Sequence, residues 1–147
     1  MKLTPQLTVA AVVPRAGRFL FVEEYVGGCS VLNQPAGHVD PGESALQSVI
    51  RETLEESACS VRPLNLIGIY ELVLPHAHFV RLAFHCEWLN FDPKLPLDPP
   101  IVRTHWLNRE ELLAHSIPHR SSLVLKTLDD HLCGRQFPLS IIEQFSA

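Results

Sequence analysis

Three glutamates near the middle of the chain have the spacing of a metal-binding helix face. Glu52, Glu55 and Glu56 fall within one narrow arc when their segment is read as a helix at about 100° per residue. Carboxylates this close repel one another unless a cation lies between them. Mg²⁺ and Mn²⁺ prefer oxygen ligands of this kind. The spacing therefore predicts a divalent-metal site, with a solvated acidic helix face as the alternative.

The same segment has a second, apolar side that predicts how the helix is anchored. Ser44 is a candidate N-cap, and Gln47 three residues later would complete a capping box. Pro41 and Gly42 predict a turn before the helix. We expect the positions that face away from the acidic arc to pack into the core: Leu46, Val49, Ile50 and Thr53.

The segment GHVDPGESALQSVIRETLEESAC, residues 37–59, resembles the signature of the Nudix hydrolases. That signature runs Gly, five residues, Glu, seven residues, Arg-Glu, apolar, any, Glu-Glu, any, Gly, apolar. The chain matches it at Gly37, Glu43, Arg51, Glu52, Glu55, Glu56 and Cys59. It departs at Thr53, where a larger apolar residue is usual, and at Ala58, where Gly is usual. Ala resists the positive φ that many helix C-termini adopt, so Ala58 is a test of the match.

The resemblance implies a fold and a set of roles. The fold would be an α/β/α sandwich around a mixed β-sheet, whereas the pattern of elements alone predicts only mixed α and β structure. A backbone carbonyl at Ala36 or Gly37 would join the three glutamates as a metal ligand. Arg51 would pair with Glu43 and brace the preceding loop against the helix. The reaction would be hydrolysis of a phosphoanhydride bond, which needs cations to neutralise phosphate charge.

The general base stays open. In the family it is a glutamate of the signature or an acid from a later loop, often three residues before the tryptophan of the last strand. Here that tryptophan is Trp106, and the position holds Arg103. Asp98 in the proline-rich loop is a substitute, or simply a loop carboxylate in water. Arg103 contacts phosphate or is exposed, and neither interpretation is favoured.

Other segments resemble a bacterial subgroup of Nudix phosphatases. They are VAAVV and FLFVEE near the start, LNQPAGHVDPGES, the THW strand, and the closing HRSSLVLKTLDDHLCGRQFPLSII. This resemblance implies orthophosphate release from nucleoside tri- and diphosphates, from thiamine pyrophosphate and from the pyrophosphate of its pyrimidine precursor. Residues 119–138 would help close the pocket, with His119 and Arg120 either contacting phosphate or lying exposed. Gln34 would contact substrate or bond the backbone of its turn.

Two other functions are kept as alternatives. One is a pyrophosphohydrolase for ADP-ribose or another dinucleoside diphosphate, which would release two monophosphates. The other is a ligand-binding module that has the fold without catalysis. Such modules usually lose glutamates of the signature, and all four are present here.

Composition limits the remaining possibilities. The chain of 147 residues predicts one domain, residues 1–147, and a net charge of −4 argues against a nucleic-acid polymer as partner. A small phosphorylated substrate is compatible with that charge when a cation is bound. The apolar N-terminal run is too short to span a membrane and predicts a strand rather than a signal peptide. Four well-separated cysteines predict buried free thiols in the cytoplasm, and the chain is a monomer or a homodimer.

Hydrophobic periodicity and turn residues predict the order of elements. Strands are expected at 7–13, 18–22, 30–33, 66–74, 78–88 and 101–107. Loops are expected at 23–28 and 90–100, and Arg62-Pro63 should end the region of the acidic helix. Two further helices are expected, one capped by Asn108 and one at 121–132.

Overall fold

The computed structural model describes residues 2–147 as two four-stranded sheets and three α-helices. The strands are β1 (Gln6–Val12), β2 (Pro14–Arg15), β3 (Arg18–Val26), β4 (Cys29–Asn33), β5 (Ala36–His38), β6 (Cys59–Leu74), β7 (Ala77–Phe91) and β8 (Ile101–Leu107). The helices are α1 (Ala45–Ser57), α2 (Arg109–Ala114) and α3 (Leu123–Leu132), and a 3₁₀ turn follows at Leu139–Ile141.

The first sheet is mixed, as expected from the resemblance. Its order is β5-β1-β7-β6, with β1 parallel to β7 and the other two pairings antiparallel. In the second sheet β3 pairs antiparallel with β2, β4 and β8. The long β6–β7 hairpin corresponds to the predicted hairpin but is extended at its open end, where Cys59 pairs with Phe91.

Alternating residues of the first sheet pack on opposite faces, which produces the layers. Val9, Ala11 and Val13 pack with Val49 of α1, whereas Val12 packs with Val124 and Leu128 of α3. This follows from the two-residue side-chain period of a strand. With α1 on one side and α3 on the other, the chain has the expected α/β/α arrangement.

The start and end of α1 are set by local interactions. The predicted capping box is confirmed: the Gln47 N–H donates to Ser44 Oγ at 3.1 Å, and the Ser44 N–H donates to Gln47 Oε1 at 2.9 Å. The helix ends at Ser57, and Ala58 takes the left-handed conformation, φ 58°, usually adopted by Gly. The prediction that Arg62-Pro63 ends the helical region was wrong, because both residues lie inside β6.

A further expectation was wrong in a way that affects the site. Residues 23–26 continue β3 rather than forming a loop, and the turn is confined to Gly27 and Gly28, both at positive φ. Glu23 and Glu24 are consequently buried, at 6% and 7% exposure. These polar side chains tolerate burial because each has cationic and hydrogen-bonding partners, and those pairings cannot be read from the local sequence.

The buried stripe of α1 is more polar than expected. Val49 and Thr53 are fully buried as predicted, but Ile50 is 39% exposed. Ser48 and Ser57 occupy the core instead, since hydroxyls in helices can donate to backbone carbonyls; Ser57 Oγ donates to Thr53 O at 2.6 Å. All four cysteines are free thiols, of which Cys59 and Cys86 are buried and Cys29 and Cys133 are exposed. Between residues 2 and 147, no helix is both long and apolar enough to cross a membrane.

Two half-buried histidines predict how stability depends on pH. The rings of His85 on β7 and His131 on α3 lie 4.6 Å apart, and burial lowers the pKa of each below 6.5. A histidine with a lowered folded pKa stabilises the protein above its unfolded pKa, and that contribution is lost as pH falls through 6.5 toward the folded value. We expect the free energy of unfolding, measured with urea, to fall more between about pH 7.5 and about pH 5.5 in the wild type than in His131→Asn. An equal fall in both proteins would contradict this assignment.

Candidate active site

The acidic face of α1 borders a cleft of about 510 Å³, a size typical of small-molecule sites. Glu52 and Glu56 line it from the helix, Ala36 and Gly37 from β5, and Glu24 from β3. The remaining wall comes from the first sheet and the segment before α3: Thr8, Asn33, Leu72, Leu74, Phe79, Arg81, Arg120, Ser121 and Leu123 among others.

Arg51 joins the parts of the Nudix-like segment. The predicted contact with Glu43 is present in bidentate form, from Nε to Oε2 at 2.7 Å and from Nη2 to Oε1 at 3.0 Å. Nη1 donates to Glu52 Oε1 at 2.9 Å and to Glu55 Oε2 at 3.1 Å. Nη2 also donates to the carbonyl of His38 at 3.0 Å, so one guanidinium connects the loop, β5 and α1.

The contact between Arg51 and Glu43 stabilises the charged form of both side chains. Hydrogen bonding from Arg51 holds the pKa of Glu43 at about 2, so Glu43 stays ionised and the pair is preserved at neutral pH. The pKa of Arg51 is raised, chiefly by the same hydrogen bond. A charge-assisted bidentate pair of this kind has a defined geometry, which suits a bracing role.

For the two carboxylates that face the cleft, Glu52 and Glu56, the pKa is raised rather than lowered. Burial raises the pKa of Glu52, despite the nearby guanidinium of Arg51. Burial also raises the pKa of Glu56 to about 8, and the neighbouring carboxylates Glu24 and Glu52 add to that rise. The Ala36 N–H donates to Glu56 Oε1 at 2.8 Å and partly offsets it. Arg51 offsets the charge of ionised Glu52 only in part, and the ion pairs found among residues 2–147 include none with Glu56, so a bound cation would provide positive charge that the site needs.

Gly37 leaves the space that Glu52 occupies. A Cβ at position 37 would lie 2.1 Å from Glu52 Cδ and 2.3 Å from its Oε1, too close for any side chain. Gly37 does not have positive φ, so its backbone conformation does not require a glycine. The glycine of the signature is needed instead because it lets the Glu52 carboxylate approach the backbone of β5. Strand and carboxylate are brought together at the point where the metal was expected.

The donor set fits a hard divalent cation. Glu52 and Glu56 present carboxylate oxygens beside the backbone of Ala36 and Gly37, and Mg²⁺ is usually held by few carboxylates with waters completing the shell. As the side chains stand, no three His, Cys, Asp or Glu residues among 2–147 converge closely enough to hold a metal ion. The cause is visible in the contacts, since Glu55 is turned to Arg51 and Glu56 to the Ala36 amide.

Of the four predicted substrate contacts, only Arg120 lines the cleft. Its Nη1 lies 2.9 Å from Glu24 Oε2. His119 turns toward α2, with Nε2 3.3 Å from Leu112 O, and Arg103 lies beside Glu23 with 65% of its side chain exposed. The substrate contact expected for Gln34 stays a prediction, and the structure places its side chain in the alternative role of bonding to backbone. Its side chain is 1% exposed and donates to Val124 O at 2.8 Å, so it serves packing.

Asp98 is brought to the end of α1 but not into the cleft. Its N–H donates to the Glu55 carbonyl at 2.9 Å, while its side chain is exposed. The loop therefore contacts the helix through backbone atoms. This position does not support the catalytic role expected for Asp98, which stays a prediction.

Sequence reasoning missed two groups that line the cleft. Arg81 was hidden in an apolar strand, and Glu24 fell within the segment expected to be a loop, residues 23–28. The strand alternation around Phe79, Arg81 and Ala83 indicates that all three share one face. Nothing in the local sequence indicates that this face borders a cleft.

The comparisons with known proteins agree with this geometry. The model of the NUDIX domain matches residues 4–128. Phosphatase NudJ of Escherichia coli strain K12 is 35% identical over 143 residues, covering 97% of this chain and 93% of that protein, and Phosphatase NudJ of Shigella flexneri matches to the same extent. A solved NUDIX hydrolase from Nitrosomonas europaea superposes with a TM-score of 0.93 at 39% identity, covering 97% of this chain and 98% of that one. A MutT protein from Methanosarcina mazei Go1, with a TM-score of 0.75 at 18% identity, supports the fold alone.

The sandwich fold and an acidic helix beside a cleft sized for a small molecule are those of a hydrolase. The chain belongs to the Nudix hydrolase family.

The close approach at Gly37 generates the first test of the site. Gly37→Ala should keep the fold, because the backbone is unstrained, and displace the Glu52 carboxylate. We expect metal affinity or activity to fall by at least about 10-fold, measured by turnover and by metal titration. Thermal unfolding monitors the fold. Wild-type turnover in this variant would show that Glu52 does not need its observed position.

The bracing role of Arg51 generates the second test. Arg51→Lys keeps the charge and loses the fork that spans Glu43, Glu52 and the His38 carbonyl. Turnover should fall by about 10- to 100-fold, as for other residues that orient metal ligands. Arg62→Lys is the matched control, since Arg62 pairs with Glu87 at an exposed site on β6. Equal turnover in the two variants would refute a bracing role.

Proposed function

We propose that this protein hydrolyses the terminal phosphoanhydride bond of a nucleoside tri- or diphosphate, or of a thiamine-pathway pyrophosphate, and releases orthophosphate. The observation that carries the proposal is the presence of Glu52, Glu56 and Arg120 on the walls of one cleft. Carboxylates that hold a cation and a guanidinium that binds phosphate are the two requirements of phosphoryl-group hydrolysis. The names of the relatives, Phosphatase NudJ, support the phosphatase class.

The cofactor in this proposal is Mg²⁺ or Mn²⁺. Glu52, Glu55 and Glu56 would hold it, with a carbonyl of Ala36 or Gly37. When bound, the ion would neutralise phosphate charge and lower the pKa of a water.

The protein's own residues would orient the reaction. Arg51 and Glu43 hold α1 against β5, which keeps the glutamate carboxylates at a fixed height above the cleft. Gly37 lets Glu52 approach the strand, and Arg120 presents a donor from the opposite wall. A glutamate of α1 would accept the proton of the attacking water, because Asp98 does not line the cleft and Glu24, which does, is paired with Arg120.

The proposed setting is the cytoplasm, with a small phosphorylated molecule as the partner. Four free cysteines fit a reducing compartment. The walls of the cleft combine acidic, basic and apolar side chains, which suits one small ligand rather than a polymer.

A phosphate-release screen with Mg²⁺ tests the proposal. The substrates are a nucleoside triphosphate, a nucleoside diphosphate, thiamine pyrophosphate, its pyrimidine precursor pyrophosphate and ADP-ribose, with chromatography of the organic products. We expect orthophosphate from substrates with a terminal phosphate, and its loss on adding a chelator. AMP from ADP-ribose alone would move the protein to the pyrophosphohydrolase class, and no product from any substrate would favour a binding module.

Glutamate-to-glutamine variants assign the carboxylates. Glu52→Gln, Glu55→Gln and Glu56→Gln should each lower kcat by about 100-fold or more while the fold persists. Glu110→Gln on α2 is the matched control, because Glu110 is exposed and does not line the cleft. A glutamine variant with wild-type kcat would remove that residue from the site.

A further inference from the structure

Arg81 is a buried arginine that faces the cleft without a carboxylate partner. It lies on β7, is 7% exposed and lines the cleft. The ion pairs found among residues 2–147 include none with Arg81. Buried charges in proteins are normally paired, because desolvation of a lone charge is costly.

The contacts of Arg81 hold its position without neutralising it. Nη1 donates to Gln34 Oε1 at 3.3 Å, and Nη2 donates to Asn33 Oδ1 at 3.1 Å. Both acceptors are neutral amides, and both are buried. Burial lowers the pKa of Arg81 to about 10, which still leaves the guanidinium charged at neutral pH. A guanidinium has five N–H donors in a rigid fork, so donors remain for a ligand.

Two carboxylates of the cleft, Glu24 and Glu56, offset part of the charge of Arg81, but neither forms an ion pair with it. Arg120, its cationic neighbour on the cleft wall, is paired with Glu24, and Glu24 also accepts from Asn33 Nδ2 at 3.2 Å. The cleft therefore holds one guanidinium in direct contact with a carboxylate and a second, Arg81, whose direct contacts are neutral amides. An anionic ligand would give Arg81 the charged partner that it lacks.

The register of the first sheet places an apolar surface beside Arg81. Arg81 is opposite Thr8 on β1 and Tyr70 on β6. Two residues further along the same face, Phe79 is opposite Leu72, and then Ala77 is opposite Leu74. We call Leu72, Leu74 and Phe79 the apolar shelf; all three line the cleft.

We infer that Arg81 binds an anionic phosphate oxygen of the substrate, with the organic ring of that substrate lying on the apolar shelf. The inference rests on the proposed function and specifies its substrate class as a compact ring joined to a diphosphate or triphosphate. The chain of phosphates would run from Arg81 toward the acidic edge formed by Glu52 and Glu56.

A purely structural role for Arg81 is the competing explanation. Its contacts link β7 to Asn33 and Gln34, and through Gln34 to Val124 of α3. In that case, substitution would destabilise the fold and affect every ligand equally. Phosphate binding instead predicts a selective effect on phosphorylated ligands.

Calorimetric titration separates the two explanations without depending on turnover. The ligands are α,β-methylene-ADP, which is resistant to hydrolysis between its phosphates, and adenosine, each titrated in Mg²⁺ and again in chelator. The proteins are the wild type, Arg81→Gln, Arg81→Lys and Phe79→Ala. Arg62→Gln is the matched control, as an exposed arginine on the neighbouring strand β6.

We expect Arg81→Gln to weaken binding of α,β-methylene-ADP by about 10- to 100-fold, the usual effect of losing hydrogen bonds to a charged group, and to leave adenosine binding unchanged. Arg81→Lys should fall in between, because it keeps the charge without the fork. Phe79→Ala should weaken the binding of both ligands, and Arg62→Gln should weaken the binding of neither. Equal losses for both ligands in Arg81→Gln, or no loss for either, would overturn the inference.

A measurement on the wild type covers the case in which Arg81→Gln does not fold. The Nε–H signal of Arg81 in a ¹H–¹⁵N spectrum should shift on adding α,β-methylene-ADP and stay in place with adenosine. An unmoved signal at saturating α,β-methylene-ADP would overturn the inference. Binding that depends on Arg81 in a protein that hydrolyses none of the screened substrates would refute the proposed reaction and leave this inference intact.

Discussion

The site depends on one guanidinium. Arg51 contacts Glu43 in the loop, the His38 carbonyl at the end of β5, and Glu52 and Glu55 on α1. Without it, three carboxylates would share a small volume and repel one another, and the loop would lose its bidentate contact with the helix. The pair with Glu43 is ionised well below neutral pH, so it persists under the conditions in which the other glutamates titrate. Arg51 thus lets the protein keep an acidic face without losing the packing of α1.

Each wall of the cleft carries charge that the protein leaves unmatched. On the α1 side, burial raises the pKa of Glu52 and Glu56, Arg51 offsets the charge of Glu52 only in part, and Glu56 forms no ion pair with the residues that the structure describes. On the sheet side, Arg81 is buried and has only neutral acceptors. A divalent cation would balance the glutamates on the α1 side, and a phosphorylated ligand would balance Arg81 on the sheet side. The cation and the phosphate would also attract each other across the cleft. The two imbalances are compatible with one substrate that bridges them.

Sequence patterns predicted the features that depend on residues close together along the chain. The acidic arc, the capping box at Ser44 and Gln47, and the β8 strand were all readable because each depends on residues close in sequence. The burial of Glu24 and Gln34 was not, since their partners Arg120 and Val124 lie about 90 residues or more away along the chain. Arg81 was missed for the same reason: a strand pattern predicts which residues share a face, but the cleft on that face is formed by distant elements. Resemblance to the family predicted the sandwich, which periodicity alone did not.

The proposed function depends on the binding of a divalent cation by the acidic face of α1 in the cleft, and direct metal titration tests this binding. Mn²⁺ binding followed by electron paramagnetic resonance, without substrate, should show a site in the wild type that is lost or greatly weakened in Glu52→Gln and Glu56→Gln. The same site should persist in Glu110→Gln. Equal Mn²⁺ affinity in all four proteins, or no binding by the wild type, would contradict the account.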